Sequence, residues 1–326
     1  AFSRSCALVS RADRVAVAVT GERAAEMLDG LLSNDVASLA GVGRHAFLLT
    51  VKGRVLADLR LFPRPDGLLI DVPEAALENV VATFRKYLPP MYARFEDLSG
   101  SLDQIGVYGP RAAEVVAQAL DADVPGGHLE IRWLEVDQTE ALAIRSQRLA
   151  GDGVELVAGA EAAATLWNRL APVVADAGGR TAGRRALEAA RVEWGIPRYG
   201  VDMDDSTLAP ETGLEAEAIS YEKGCYLGQE VIARIHFRGH VNRFLRSLEF
   251  DGGLPDAGAH LFSGEKDVGV VTSAVHTPEF GPIGLGYVRR EVEAGKLLRW
   301  SQGEREGRVK VRERPPRPAP APLGPF

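Results

Sequence analysis

Sulfur is scarce in this chain of 326 residues, which has two cysteines, Cys6 and Cys225, and three methionines. No C-x-x-C pair occurs. That excludes a disulfide framework and a Cys-only zinc or iron–sulfur site within one chain, and it fits a reducing, cytoplasmic compartment. Long apolar runs are also missing. No stretch approaches the roughly 20 uncharged apolar residues of a membrane helix, so no membrane partner is expected. The first fourteen residues carry Arg4, Arg11, Asp13 and Arg14, unlike a secretory signal. Basic excess is absent too. Against 45 Asp and Glu there are 38 Lys and Arg, a net charge of −7, which argues against direct nucleic-acid binding. G-x-G-x-x-G after a strand, Walker A, G-x-S-x-G and H-E-x-x-H do not occur, and the readings that depend on them fall away. What is present, 46% hydrophobic and 25% charged residues, is globular composition. The length suggests about two or three domains.

An internal repeat organises the chain. Val19-Thr20-Gly21-Glu22-Arg23-Ala24-Ala25-Glu26 recurs as Val107-Tyr108-Gly109-Pro110-Arg111-Ala112-Ala113-Glu114, and Leu32, Asp35 and Val36 match Leu120, Asp123 and Val124. Each copy reads as a short strand ending at Gly, followed by a helix. After the first copy come expected strands at 46–51, 55–62 and 68–72 and a helix at 74–88. After the second come strands at 131–136, 141–145 and 154–157 and a helix at 160–175. Short turns at 65–67 and 151–153 make these strands antiparallel hairpins. The expected fold is therefore α+β: duplicated antiparallel-sheet-plus-helix units over 1–243, with the repeat boundary near 98. From 244 to 313 short β-like runs at 244–250, 267–276, 284–288, 297–300 and 308–311 predict a small C-terminal β-barrel or sandwich. Residues 314–326 hold six prolines in thirteen and predict an extended tail.

Three stretches carry candidate chemistry. In Lys223-Gly224-Cys225-Tyr226-Leu227-Gly228-Gln229-Glu230 the Cys lies just ahead of a helix expected at 230–235. The helix N-terminus and Lys223 would favour a thiolate, and the glycines would leave it accessible; the competing reading is a small buried thiol in a tight turn. In the stretch from Arg191 to Asp202, Glu193 beside Trp194 is suited to a planar heterocycle, the carboxylate accepting N–H bonds and the indole covering a ring face. A helix end with a surface Glu is the alternative. The third stretch, Arg234, His236, Arg238, His240, Arg243 and Arg246, has no acid between 231 and 248. It is either a receptor for an anionic tail, with Arg238 and Arg243 as its centre, or a solvated face. His236 and His240 lack partners at metal-ligand spacing.

With these residues in view the sequence resembles the YgfZ-type folate-binding proteins, relatives of the glycine-cleavage T-protein (aminomethyltransferase). The octet at 223–230 is the most specific match. Leu32-Ser33-Asn34-Asp35-Val36, residues 49–55, the R-x-E-x-G-x-P-x-x-G-x-D pattern at 191–202, Pro210-Glu211 and the 270–274 and 284–286 segments support it. The resemblance implies a site for tetrahydrofolate or a one-carbon derivative in the duplicated region, with Glu193 as the pterin-recognising acid and Arg191, Trp194 and Asp58 beside it. It implies Cys225 as the functional thiol, with Lys223, Gly224, Tyr226, Gly228, Gln229, Glu230 and Arg234 as matched neighbours. It also implies a role in assembling or repairing iron–sulfur clusters of client proteins, including a tRNA-modifying enzyme. The alternative is tetrahydrofolate-dependent aminomethyl transfer of the glycine-cleavage type. One departure bears on that alternative: where the aminomethyltransferases carry paired aspartates, this chain has Ala57-Asp58.

Overall fold

The computed structural model describes residues 2–136, 138–313 and 315–316. Apart from 315 and 316, the tail expected at 314–326 lies outside the described residues. The first half runs β1 (Ala7–Ser10), β2 (Arg14–Thr20), α1 (Ala24–Asp29), β3 (Arg44–Leu49), β4 (Val55–Arg64), β5 (Gly67–Pro73), a short 3-10 turn, α2 (Leu77–Tyr87) and β6 (Arg94–Asp97). The second half repeats the plan as β7 (Leu102–Tyr108), α3 (Ala112–Leu120), β8 (Ile131–Val136), β9 (Thr139–Arg145), β10 (Gly153–Gly159), α4 (Ala160–Asp176) and the two-residue β11 (Arg180–Thr181). The α+β architecture read from the sequence is the one observed.

Each sheet obeys the two-residue period of a strand. On β4 the odd positions Val55, Ala57, Leu59 and Leu61 pack toward α1 and α2 in one core. The even positions Asp58, Arg60 and Phe62 face the other sheet. On β10 Val154, Leu156 and Ala158 pack toward α3 and α4, leaving Glu155 and Val157 on the opposite face. Where the two inner faces meet, Ala16, Phe62 and Leu69 touch Leu129, Leu142, Ile144 and Val157. The layers are thus helix, sheet, sheet, helix, with an apolar seam and a charged seam side by side between the sheets.

Strand order shows how the halves are tied. The first sheet runs β3-β4-β5-β2-β6 and the second β8-β9-β10-β7-β1-β11. β1 leads directly into β2 yet pairs with β7, antiparallel, Ala7 opposite Tyr108. β6 leads directly into β7 yet pairs with β2, Val17 opposite Asp97. Divided just before β6, the chain falls into two segments that have exchanged their leading strands. The boundary expected near 98 falls in the turn between β6 and β7.

Residues 184–238 follow as α5 (Arg184–Glu193), which packs against the C-terminal strands, and as the four-residue α6 (Glu215–Ala218) and α7 (Gln229–Arg238), which lie against the first half. Six strands close the C-terminal barrel: β12 (Arg243–Asp251), β13 (His260–Ser263), β14 (Lys266–Thr277), β15 (Gly281–Arg289), β16 (Leu297–Gln302) and β17 (Arg305–Arg312). Leu248, Phe250, Leu261, Val271, Trp300, Val309 and Val311 fill it. Of the barrel strands only β13 is absent from the sequence-based set; outside the barrel that set also lacks β1, β6 and β11. Among the described residues no helix is long and apolar enough to cross a membrane.

Candidate functional site

A cavity of about 490 Å³ lies at the charged seam, bordered by the β1–β2 crossing, β4, β10, α5 and the loop after it. Its floor is a buried ion network drawn from both halves. Arg60 and Asp71 are cross-strand neighbours and meet at 2.5 Å. Arg60 also reaches Glu155 on the other sheet at 2.6 Å. Arg14 donates Nε to Asp71 at 2.6 Å, and Gln104 donates to the remaining Asp71 oxygen at 3.0 Å. Tyr108 donates its hydroxyl to Glu155 at 2.7 Å. Burial opposes the charge on Glu155, but Arg60 and Arg11 outweigh it and hold the carboxyl far below the usual carboxylate range. Buried charges persist only when paired in this way.

Asp58 stands apart in that network. It is buried and lines the cavity. Arg14 Nη1 lies 3.6 Å from its Oδ2, but its Oδ1 accepts no hydrogen bond. Burial raises its pKa, and Arg14 with His45 more than reverses this, so the carboxyl lies below its ordinary value. His45 sits beside it, Nε2 3.8 Å from Asp58 Oδ2 and Nδ1 3.8 Å from Glu217 Oε2. Burial pushes Glu217 up, while Arg148 and His45 bring it down to about 2. Of these cavity residues the sequence reading had only Asp58. A signal for Arg60 was present in β4, where charged Asp58 and Arg60 alternate with Ala57, Leu59 and Leu61: a strand of that kind buries charge on its second face.

The 191–202 pattern builds a latch. Arg191 lines the cavity and donates to Asp202 at 2.7 Å and to Ser273 Oγ on the barrel at 2.6 Å. Ser273 Oγ donates to the other Asp202 oxygen at 2.7 Å, as Thr272 does at 2.5 Å. The cavity-lining positions of α5 are Arg184, Leu187, Glu188 and Arg191, one helical stripe. Glu193 is half-buried at the helix end, off that stripe and outside the lining. Trp194 is buried against Val9, Tyr108, Leu149, Ala150 and Ala190 and also lies outside the lining, so its indole is engaged in core packing.

The octet is not brought to the cavity; none of its residues lines it. Cys225 is exposed. The expected help from Lys223 is redirected. Its Nζ donates to the carbonyls of Asp29 and Leu32 and lies 3.1 Å from the Asp29 carboxylate. An ammonium has three donors, and these partners take all three, tying the octet to the end of α1. Tyr226 is buried in the first core, its phenol pushed up to about 12 by burial. Gly228 caps α7 at φ +86, where a Cβ would come within 2.5 Å of the Thr50 carbonyl oxygen, so glycine is required. Gln229 Nε2 donates to the Gly224 carbonyl at 3.4 Å. Glu230 and Arg234 form an exposed i,i+4 pair at 2.7 Å.

The cationic stripe is split between elements. Arg234, His236 and Arg238 are on α7, whereas Arg243 and Arg246 are on β12. Arg238 is exposed. Arg243 donates to Glu211 at 3.0 Å and covers the Tyr287 ring. It borders a separate hollow with Arg289 and Arg290, not the central cavity. Besides Arg191, which is held in the latch, the cations that border the central cavity from α5 and its following loop are Arg184 and Arg198. No group of three or more potential metal ligands occurs among the described residues.

Residues 2–223 match the family described as the GCVT N-terminal domain. An aminomethyltransferase from Rubrobacter xylanophilus is 29% identical over 283 residues, which is 86% of this chain and 75% of that protein. One from Thermotoga neapolitana is 26% identical over 287 residues, 86% of this chain and 78% of that protein. The crystal structure of glycine cleavage system aminomethyltransferase T from Bartonella henselae aligns with a TM-score of 0.85 at 23% identity, covering 98% of this chain and 88% of that one. The last similarity shows the fold.

Proposed function

The chain belongs to the GCVT N-terminal domain family, and from that premise we propose that its central cavity binds tetrahydrofolate and that it transfers an aminomethyl unit to it. The similarity to aminomethyltransferases along more than four-fifths of the chain supports this over the accessory role. The observation that carries it is Asp58: an ionised, buried carboxylate in the cavity wall with one oxygen unpartnered.

The residues fit the group. The cavity has the volume of a small-molecule site, in the range of about 300–1,000 Å³. Asp58 Oδ1 is a buried acceptor that an N–H donor would satisfy. Arg184 and Arg198 offer charge to an anionic tail. When bound, tetrahydrofolate supplies the nitrogen that receives the one-carbon unit. Asp58 is then placed to accept a proton at Oδ1, Arg14 keeps it ionised beforehand, and the two sheets shield the exchange from water. One carboxylate, not two adjacent ones, does this work, since position 57 is Ala. The resemblance assigns pterin recognition to Glu193, two residues past the last cavity-lining position of α5. Glu193→Gln with unchanged folate affinity would leave Asp58 as the recognising acid.

The test is turnover with an aminomethylated lipoyl carrier protein and tetrahydrofolate, alongside calorimetric titration of tetrahydrofolate. Binding without turnover would favour the second reading, a YgfZ-type accessory factor for iron–sulfur client proteins. The observation behind that reading is the exposed Cys225 thiol in its glycine-flanked loop. Cys225→Ala in a deletion strain separates the two: full complementation removes the accessory role of the thiol.

A further inference from the structure

We propose that His45 is the positioning residue for Asp58 and carries its proton outward to Glu217. This rests on the transfer chemistry proposed above.

The ring lies between two carboxylates, one at each nitrogen: Nε2 is 3.8 Å from Asp58 and Nδ1 is 3.8 Å from Glu217. Nε2 is buried and has no hydrogen-bond partner, and the same is true of the neighbouring Asp58 Oδ1. Buried polar atoms without partners are rare in folded proteins, and here two of them fall on adjacent side chains in one cavity. Solvent access is low at the Asp58 side chain, 10%, and at His45, 7%, and opens only at Glu217, 35%.

Backbone bonds enforce the placement. Asn34 Nδ2 donates to the carbonyl of His45 at 2.8 Å and to that of Glu217 at 2.9 Å. Ser33 Oγ accepts from Phe47 N at 2.8 Å and donates to the Ala218 carbonyl at 2.5 Å. The Ser33-Asn34 pair therefore clamps β3 to α6 and fixes His45 and Glu217 relative to each other, while Asp58 faces Phe47 of β3 across the strand pair.

An imidazole with one bare and one protonated nitrogen can take a proton on one side and release another from the other. A proton accepted by Asp58 passes to Nε2, and the Nδ1 proton leaves to Glu217 and solvent. Asp58 returns to its ionised form, and no electrons move. Contacts of this length tighten in reacting complexes. The charged groups around the ring are Arg14 beside Asp58, Arg60 opposite on β4 and Arg148 near Glu217, and the titratable ring of His128 also faces Glu217.

Nitrogen-resolved NMR of the folate-free protein tests the geometry. The His45 Nε2 resonance is expected to move in Asp58→Asn and the Nδ1 resonance in Glu217→Gln; silence of either overturns the proposal. In the transfer assay His45→Gln should lower kcat about 100-fold with KM unchanged, and Glu217→Gln should lower it less. Unchanged kcat in His45→Gln overturns the proton path. If wild-type protein shows no transfer at all, the functional reading fails, and the NMR result alone decides whether the ring engages both carboxylates.

Discussion

Arg191 and Asp202, eleven positions apart, meet at 2.7 Å with both side chains buried, and each also holds Ser273 of the barrel. The spaced pattern that contains them is therefore a clasp between the duplicated region and the C-terminal barrel, with its Gly and Pro residues bending the chain so that the two ends meet. Removing Asp202 leaves the buried Arg191 charge with Glu188 as its remaining acid. Asp202→Ala should cost about 3–5 kcal/mol in equilibrium denaturation. A loss under 1 kcal/mol would mean that Glu188, which also holds Arg191, compensates.

Asp58→Asn keeps the size of the side chain and removes its basicity. Transfer activity should fall about 100- to 10,000-fold, while folding, read by thermal melting, is kept. An active Asp58→Asn enzyme would remove this residue from the chemistry.

The octet divides into a structural and an exposed part. Lys223→Met strips three hydrogen-bond partners at the end of α1 and should destabilise by about 1–3 kcal/mol. Cys225→Ala should leave stability unchanged, because the thiol is exposed. A thiol reagent should modify Cys225 in the native protein, whereas buried Cys6 reacts only after unfolding. A native protein that reacts at both sites contradicts this.

His128 gives the protein an acid weakness. Burial pushes its ring down to about 4, and its Nδ1 accepts from Gln147 N–H at 3.1 Å, a bond only the unprotonated nitrogen can form. In the unfolded chain the ring titrates near its ordinary value of about 6.5. Between about 6.5 and 4 the unfolded state thus binds a proton that the folded state refuses, and stability falls as pH is lowered across that window. Glu217 adds a second loss, beginning below its ordinary value and completed as pH passes its depressed one, about 2. Denaturation midpoints at about pH 7 and pH 5 should differ less in His128→Leu than in wild type. Equal drops would assign the pH dependence to other groups.

Most strands of the duplicated sheets and of the barrel were legible because strand alternation and turn residues are local, whereas β1, β6 and β11 are short and owe their strand character to long-range pairing. The four-residue β13 was not: His260-Leu261-Phe262-Ser263 is too short to show a period, and its strand character comes from pairing with β14 and β16. Asp58 was found through resemblance, but His45, Arg14, Glu155 and Glu217 come from strands and a short helix far apart in the chain. Only the meeting of the two inner faces makes them one site. Lys223 shows the opposite limit. Two positions from a cysteine in sequence, its ammonium is committed to a different helix.

The exchanged leading strands bear on how this molecule is made and broken. A polypeptide severed between Ala93 and Arg94 would yield two fragments, each carrying a strand that the other's sheet requires. Neither would possess a complete ladder alone. The duplication thus made its copies mutually dependent, and the hollow where the first crossing passes exists only once both have been threaded together.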